Sequence, residues 1–157
     1  MLTPGAGALE TGFRPSPAAL GNMAHDVLST LPARCPTILV VEDEVLIRMS
    51  LAWHLRDQGF PVLEAAHAEE AMAILASVVA VDVLLTDVHL PGAMNGFALA
   101  RWAQAQRPGL RVIITSGTPR LEHGVADHCE ETPYLLKPYD PTRLVAELRR
   151  IAGPVDS

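Results

Sequence analysis

The alternation of short apolar runs with segments of helical spacing is the feature that most constrains the fold of this chain. The runs are rich in Val, Ile and Leu, as expected for strands that are buried on both faces. Between them, apolar residues recur every three or four positions, which is typical of amphipathic helices. The predicted strands cover residues 37–41, 62–66, 83–86, 111–115 and 134–136, and the predicted helices cover 44–58, 68–76, 97–106, a weaker 119–129, and a last helix beginning at Pro141. Five strand–helix units with short connections predict an α/β fold, with a parallel sheet covered by helices on both faces.

The first 36 residues differ from the rest of the chain, since they contain five Pro, four Gly and a single aromatic residue, Phe13. This composition predicts a poorly ordered leader over residues 1–36, in which residues 18–31 could form one short helix. Met23 is an alternative start of the protein, and the sequence does not decide between the two starts. The predicted domain then covers residues 37–152, and residues 153–157 form a tail.

Composition excludes several classes of function. The formal net charge is −6 and no cluster of Lys and Arg stands out, so we expect no direct binding of nucleic acid. The sequence has no apolar stretch long enough for a membrane span, and its N-terminus does not follow the pattern of a secretory signal. Cys35 and Cys129 lie far apart, which argues against a disulfide framework. We therefore expect a cytoplasmic protein that does not bind membranes.

Polar residues follow four of the predicted strands at the edge of the sheet where ligands bind in folds of this kind. Glu42 and Asp43 follow the first strand, Asp87 the third, Ser116 the fourth and Lys137 the fifth. Crowded carboxylates repel one another unless a cation or a proton intervenes, and their hard oxygen ligands suit Mg²⁺. A lysine and a hydroxyl are the further groups that would neutralise a transferred phosphoryl group.

The runs ILVVEDE, LLTDVHLPG, MNG, VIITSG and LLKPY resemble the signature blocks of the response regulator receiver family, of which the chemotaxis protein CheY is typical. The resemblance covers nearly all of residues 37–152, in the family's order. It implies a doubly wound, five-stranded parallel sheet of the flavodoxin-like (βα)5 type with strand order 2-1-3-4-5. It also implies a two-component phosphorelay function that uses Mg²⁺.

The resemblance assigns a role to each residue at the strand ends. Asp87 resembles the phosphoacceptor and Asp43 the direct carboxylate ligand of the metal, while Glu42 occupies an acidic position that acts through a metal-bound water. The backbone carbonyl of His89 would be a further metal ligand, and Lys137 would pair first with the acceptor and then with its phosphoryl group. Glu44 has a simpler interpretation, as an acid that stabilises the start of the first helix through its dipole.

Two further residues resemble the switch of the family. Ser116 matches the switch hydroxyl, although Thr115 and Thr118 flank it, and Tyr134 matches the switch aromatic. A strand aromatic that faces the core is an equally good interpretation of Tyr134. The loop HLPGAMNG departs from the commonest pattern, because it is one residue longer and has Asn95 in place of Asp.

The resemblance also implies partners: a sensor histidine kinase or a histidine phosphotransfer protein as phosphodonor, and an unidentified protein downstream. The face formed by the fourth helix, fifth strand and fifth helix would change on phosphorylation and could form a homodimer.

Such a domain is not a conventional enzyme, but it catalyses its own phosphorylation and slow autodephosphorylation. With no output domain in this sequence, we expect a stand-alone receiver. A phosphohydrolase is disfavoured by His89, where an Asp is required, and a phosphorylation-independent interaction module is the remaining alternative.

Overall fold

The computed structural model describes residues 35–119 and 132–151. The predictions for the short helix at 18–31, for nearly all of the leader, for the tail, and for all of the fourth helix except Pro119 lie outside these residues. Among the helices of the described part, none has the length and apolar character needed to cross a membrane.

The described segments alternate between strand and helix as the sequence predicts. The strands are β1 (Ile38–Val41), β2 (Val62–Ala65), β3 (Val83–Asp87), β4 (Arg111–Ser116) and β5 (Tyr134–Leu136). The helices are α1 (Val45–Asp57), α2 (Ala68–Ala76), α3 (Gly96–Gln106) and α4 (Pro141–Ile151), of which α4 corresponds to the predicted last helix. The ends of β3 and β4 differ from the prediction: each strand continues by one residue, so that Asp87 and Ser116 belong to the sheet.

The five strands form one sheet in the order β2-β1-β3-β4-β5, and all four pairs are parallel. This order confirms the expectation drawn from the family resemblance. The chain reverses direction across the sheet between β1 and β3, because β2 lies on one side of β1 and β3 on the other. The carboxyl ends of β1 and β3 are therefore neighbours at the switch point where such sheets bind ligands.

Alternate side chains of the sheet pack into two apolar layers, one on each face. Leu39, Leu84 and Ile114 share one layer with buried residues of α2 and α3, whereas Val40 and Leu85 share the other with buried residues of α1 and α4. Each fully buried leucine contributes about 2 kcal/mol of hydrophobic stabilisation. The central strands are thus anchored from both sides, and this fixes the positions of the residues at their ends.

Local signals place several helix ends. Gly59 follows α1 with φ of 89°, a conformation that glycine adopts without steric cost. The side chain of Asp140 accepts a hydrogen bond of 2.8 Å from the N–H of Thr142 and caps α4. The side chain of Asn95 accepts 2.9 Å from the N–H of Ala98 and caps α3, which gives the departure from the family pattern at this position a structural role.

Candidate functional site

Acidic residues at the ends of β1 and β3 meet Lys137 at the carboxyl edge of the sheet. Glu42 follows β1 directly, Asp87 ends β3, and Lys137 follows β5. The ammonium Nζ of Lys137 donates to Glu42 Oε2 at 2.7 Å and to Asp87 Oδ2 at 2.8 Å. Glu42 is 4% exposed and Asp87 is 8% exposed, so both ion pairs are largely shielded from water. The structure therefore brings together three residues that are far apart in the sequence.

A divalent cation fits the carboxylates of this site. Oxygen atoms of Glu42, Asp43 and Asp87 lie within 4.8 Å of one another, and Asp43 is exposed to solvent. Three carboxylates exceed the charge of the single Lys137 ammonium, which leaves excess negative charge, and their oxygens are the ligands that Mg²⁺ prefers. Glu44 does not belong to this cluster; it occupies the N-cap position of α1, where its side chain makes no capping hydrogen bond.

Burial and neighbouring charge have opposite effects on the pKa values of Glu42 and Lys137. Burial raises the pKa of the Glu42 carboxyl above its ordinary value, despite the opposing hydrogen bond and charge of Lys137. Burial by itself lowers the pKa of Lys137, but the hydrogen bonds and charges of Asp87 and Glu42 outweigh it and raise that pKa. Lys137 thus remains an ammonium at neutral pH, and Glu42 is the carboxyl for which ionisation is costly.

The backbone around Asp87 holds its carboxylate in place. The N–H of His89 donates to Asp87 Oδ1 at 3.2 Å, and the N–H of Gly96 donates to the carbonyl of Val88 at 2.8 Å. A Cβ atom at Gly96 would lie 2.0 Å from the carbonyl oxygen of Asp87, a distance that no side chain tolerates. A glycine at the start of α3 therefore allows this helix to approach the end of β3.

Hydroxyl groups occupy the adjacent edge of the sheet, beyond β4 and β5. Ser116 is fully buried, and its Oγ accepts 3.1 Å from the N–H of Thr118 and lies 3.3 Å from Thr118 Oγ1. The Tyr134 hydroxyl donates to the carbonyl of Thr118, while its ring stacks on Phe97 at a centroid distance of 6.4 Å. Thr115 instead directs its hydroxyl to the carbonyl of Thr86, at 3.4 Å. Tyr134 thus packs against the core and also bonds to the segment after Ser116.

A family model for the response regulator receiver domain matches residues 38–149. The match includes every strand and all three residues of the carboxylate cluster. The chain belongs to this family.

Related receiver proteins support the same assignment. The transcriptional regulatory protein AruR of Pseudomonas aeruginosa is 32% identical over 123 residues, which cover 76% of this chain and 50% of that protein. The phosphate regulon transcriptional regulatory protein PhoB of the same organism is 33% identical over 133 residues, which cover 77% of this chain and 55% of that protein. The chain spans about half the length of these curated relatives.

Solved receiver domains have the same fold. A CheY-like receiver domain protein from Methanospirillum hungatei superposes with a TM-score of 0.69 at 29% identity, covering 76% of this chain and 94% of that one. The signal receiver domain of an HD domain-containing protein from Pseudomonas fluorescens gives a TM-score of 0.68 at 32% identity, covering 75% and 94%. The similarity therefore extends over nearly the whole of these solved chains.

The receiver site also contains residues that the sequence did not single out for their contacts. Arg48 of α1 donates from Nη1 to the carbonyl of Glu42 at 2.7 Å, and Thr118 bonds to both Ser116 and Tyr134. Arg48 lies in a helix whose pattern suggests only an exposed basic residue. The sequence feature that could have predicted this contact is the position of Arg48 one helical turn after the acidic run, because a side chain there can reach back to the end of β1.

Proposed function

We propose that this receiver domain accepts a phosphoryl group on Asp87 from the phosphohistidine of a sensor histidine kinase or a histidine phosphotransfer protein. The observation that carries the proposal is the arrangement of the Asp87 carboxylate. Its Oδ1 accepts from the N–H of His89 and its Oδ2 from Lys137, beside the carboxylates of Glu42 and Asp43. A buried acid held in this way is oriented for attack, which accounts for a large part of catalysis in phosphoryl transfer.

The residues of the site would act in sequence. An Asp87 oxygen forms a bond to phosphorus while the bond from phosphorus to the donor's histidine nitrogen breaks. Lys137 passes from the carboxylate to an oxygen of the bound phosphoryl group, and its charge offsets the charge of that group. Mg²⁺ held by Glu42, Asp43, Asp87 and the predicted carbonyl of His89 would supply further positive charge to the phosphoryl oxygens. Water later cleaves the acyl phosphate, releases inorganic phosphate and restores Asp87, which is slow autodephosphorylation.

The hydroxyl groups of Ser116 and Tyr134 would transmit the change at Asp87 to the surface of the domain. We propose that the Ser116 hydroxyl turns from Thr118 toward the phosphoryl oxygens, and that Tyr134 follows this change through its bond to the carbonyl of Thr118. Such a change biases two packings of one fold. The face that includes β5 and α4 would then contact an unidentified downstream protein, or a second copy of the chain, in the cytoplasm.

Phosphorylation by a small phosphodonor tests this proposal. The full chain is incubated with acetyl phosphate or phosphoramidate, with Mg²⁺ or with EDTA, and its intact mass is measured. We expect a gain of one phosphoryl group that requires Mg²⁺, is absent in Asp87→Asn and persists in Asp57→Asn. Asp57 is the matched control because it is an exposed acid at the end of α1, away from the sheet edge.

The alternative of a phosphorylation-independent module predicts a different result. In that case the wild type gains no mass in either condition, and it releases no inorganic phosphate above background. Phosphate release without an accumulated adduct would instead indicate the same chemistry with fast hydrolysis, provided that Asp87→Asn abolishes the release.

A further inference from the structure

Two arginines of α1 reach the same glutamate of β2 but donate to different backbone carbonyls. Arg56 Nη2 lies 2.9 Å from Glu64 Oε1, and Arg48 Nε lies 3.7 Å from Glu64 Oε2. Only Arg48 also reaches the candidate site, where its Nη1 donates 2.7 Å to the carbonyl of Glu42. The Arg48 side chain is 16% exposed and that of Arg56 is 49% exposed. Arg48 therefore spans from the edge strand to the end of β1, whereas Arg56 stays at the edge strand, where its Nη2 also donates 3.0 Å to the carbonyl of Val62.

The carbonyl that Arg48 contacts belongs to the peptide group that joins Glu42 to Asp43. Because a peptide group is planar, a bond that fixes its carbonyl also fixes the directions in which the two flanking residues leave it. Glu42 is held on its other side by its own N–H, which donates 3.1 Å to the carbonyl of Ala65. Its Oε1 accepts 3.2 Å from the N–H of Glu44. Asp43 is exposed, so burial does not hold its side chain, and the orientation of this peptide group sets the position from which that side chain starts.

We infer that Arg48 is a positioning residue, which aims the adjacent carboxylates of Glu42 and Asp43 at a bound cation while Glu64 orients its guanidinium. This inference rests on the proposed function, since it requires that the carboxylate cluster binds Mg²⁺. Arginine suits the role because its planar fork can hold a carboxylate and a carbonyl at once.

The sign of the change in Mg²⁺ affinity on removal of Arg48 tests the inference, because the guanidinium is charged. A guanidinium beside a cation site repels the cation, so its removal should strengthen Mg²⁺ binding if charge were its only influence. Removal should weaken Mg²⁺ binding if the arginine holds the two carboxylates in place. The two interpretations therefore predict opposite changes in affinity.

The experiment is an Mg²⁺ titration of the full chain, followed by the backbone amide signals of residues 42–44 in NMR spectra. The variant Arg48→Met keeps the apolar stem but removes the charge and the donors. We expect Mg²⁺ affinity about tenfold below that of the wild type, as is typical when a residue that orients metal ligands is lost. Arg56→Met is the matched control, with the affinity of the wild type. Glu64→Gln should weaken binding in the same direction as Arg48→Met, but less.

The outcomes separate this inference from the proposed function. If the wild type binds Mg²⁺ and Arg48→Met binds it equally or more tightly, the positioning role is wrong and the proposed function stands. If the wild type itself binds no Mg²⁺, the proposed function fails and the inference fails with it. Urea unfolding of each variant shows whether it is folded. Should Arg48→Met not fold, Glu64→Gln decides: unchanged affinity in that variant overturns the inference.

Discussion

The edge of the sheet divides into an acidic half and a hydroxyl half, which solve the problem of buried polar groups differently. The acidic half consists of Glu42, Asp43, Asp87 and Lys137. The ammonium of Lys137 pairs with Glu42 and Asp87, and Asp43 adds a third carboxylate. The hydroxyl half consists of Ser116, Thr118 and Tyr134, which are uncharged and hydrogen-bond to one another. The acidic half is therefore short of positive charge, whereas the hydroxyl half is neutral and its residues are linked by hydrogen bonds to one another.

From this difference we propose that the acidic half performs the chemistry and that the hydroxyl half transmits its result. Uncompensated charge is costly in a buried site, and it creates affinity for a cation and for groups that neutralise it. Neutral hydrogen bonds exchange partners at small cost, which suits a change of packing. Lys137 joins the two halves. Its Nζ donates to the carboxylates of Glu42 and Asp87, while its backbone N–H donates 2.7 Å to the carbonyl of Ser116. Variants in the acidic half should thus change the free energy of unfolding more than variants in the hydroxyl half, and these changes should depend on Mg²⁺.

The largest effect is expected for Lys137→Met. This change leaves Glu42 and Asp87 buried without their ammonium, so we expect a loss of about 2 kcal/mol in the free energy of unfolding without Mg²⁺. The value is reduced from the full cost of breaking a buried pair because the Lys137 side chain is 21% exposed. The pKa of Lys137 is raised, so its stabilisation is fully present below its ordinary pKa of 10.5 and is lost as the pH rises through the folded value. Urea unfolding at pH 7 measures the loss.

A surface ion pair provides the control for this prediction. Arg150 pairs with Glu147 on α4, but its side chain is 66% exposed. Arg150→Met should therefore change the unfolding midpoint little. Equal losses in the two variants would show that the acidic half has no special deficit of positive charge, and the comparison between the halves would fail.

Tyr134→Phe should lower the free energy of unfolding by less than Lys137→Met does, and by an amount that does not depend on Mg²⁺. The change removes the hydrogen bond to the carbonyl of Thr118 but keeps the ring that stacks on Phe97. We expect a loss of about 1 kcal/mol in the free energy of unfolding, equal with and without Mg²⁺. Urea unfolding in both conditions checks this. A loss that Mg²⁺ alters would mean that the two halves are coupled in the unphosphorylated protein.

How much could be predicted from the sequence differs between the two halves. Buried β-branched runs define the strands, and residues that follow parallel strands must converge at one edge, so the meeting of Asp87 with Lys137 was predictable. The place of Asp87 inside β3 was not, because it depends on ladder pairing with Thr115. The role of Thr118 and the reach of Arg48 were also missed. Each depends on side-chain direction in the folded chain, which the spacing of residues does not specify.

The smallest effect is expected for Glu42→Gln, and its sign is the sharpest test of the deficit of positive charge in the acidic half. Burial raises the pKa of Glu42, so the folded state binds a proton more readily than the unfolded state. The wild type should therefore lose stability as the pH rises from the ordinary pKa of 4.5 through the folded value, a step that Gln lacks. Without Mg²⁺, we expect Glu42→Gln to be more stable than the wild type at pH 7, with the advantage disappearing below pH 4.5. Urea unfolding across this range measures the difference. A less stable variant at pH 7 would mean that the bond from Lys137 outweighs the cost of burying the Glu42 charge, so that the acidic half is already balanced without a cation.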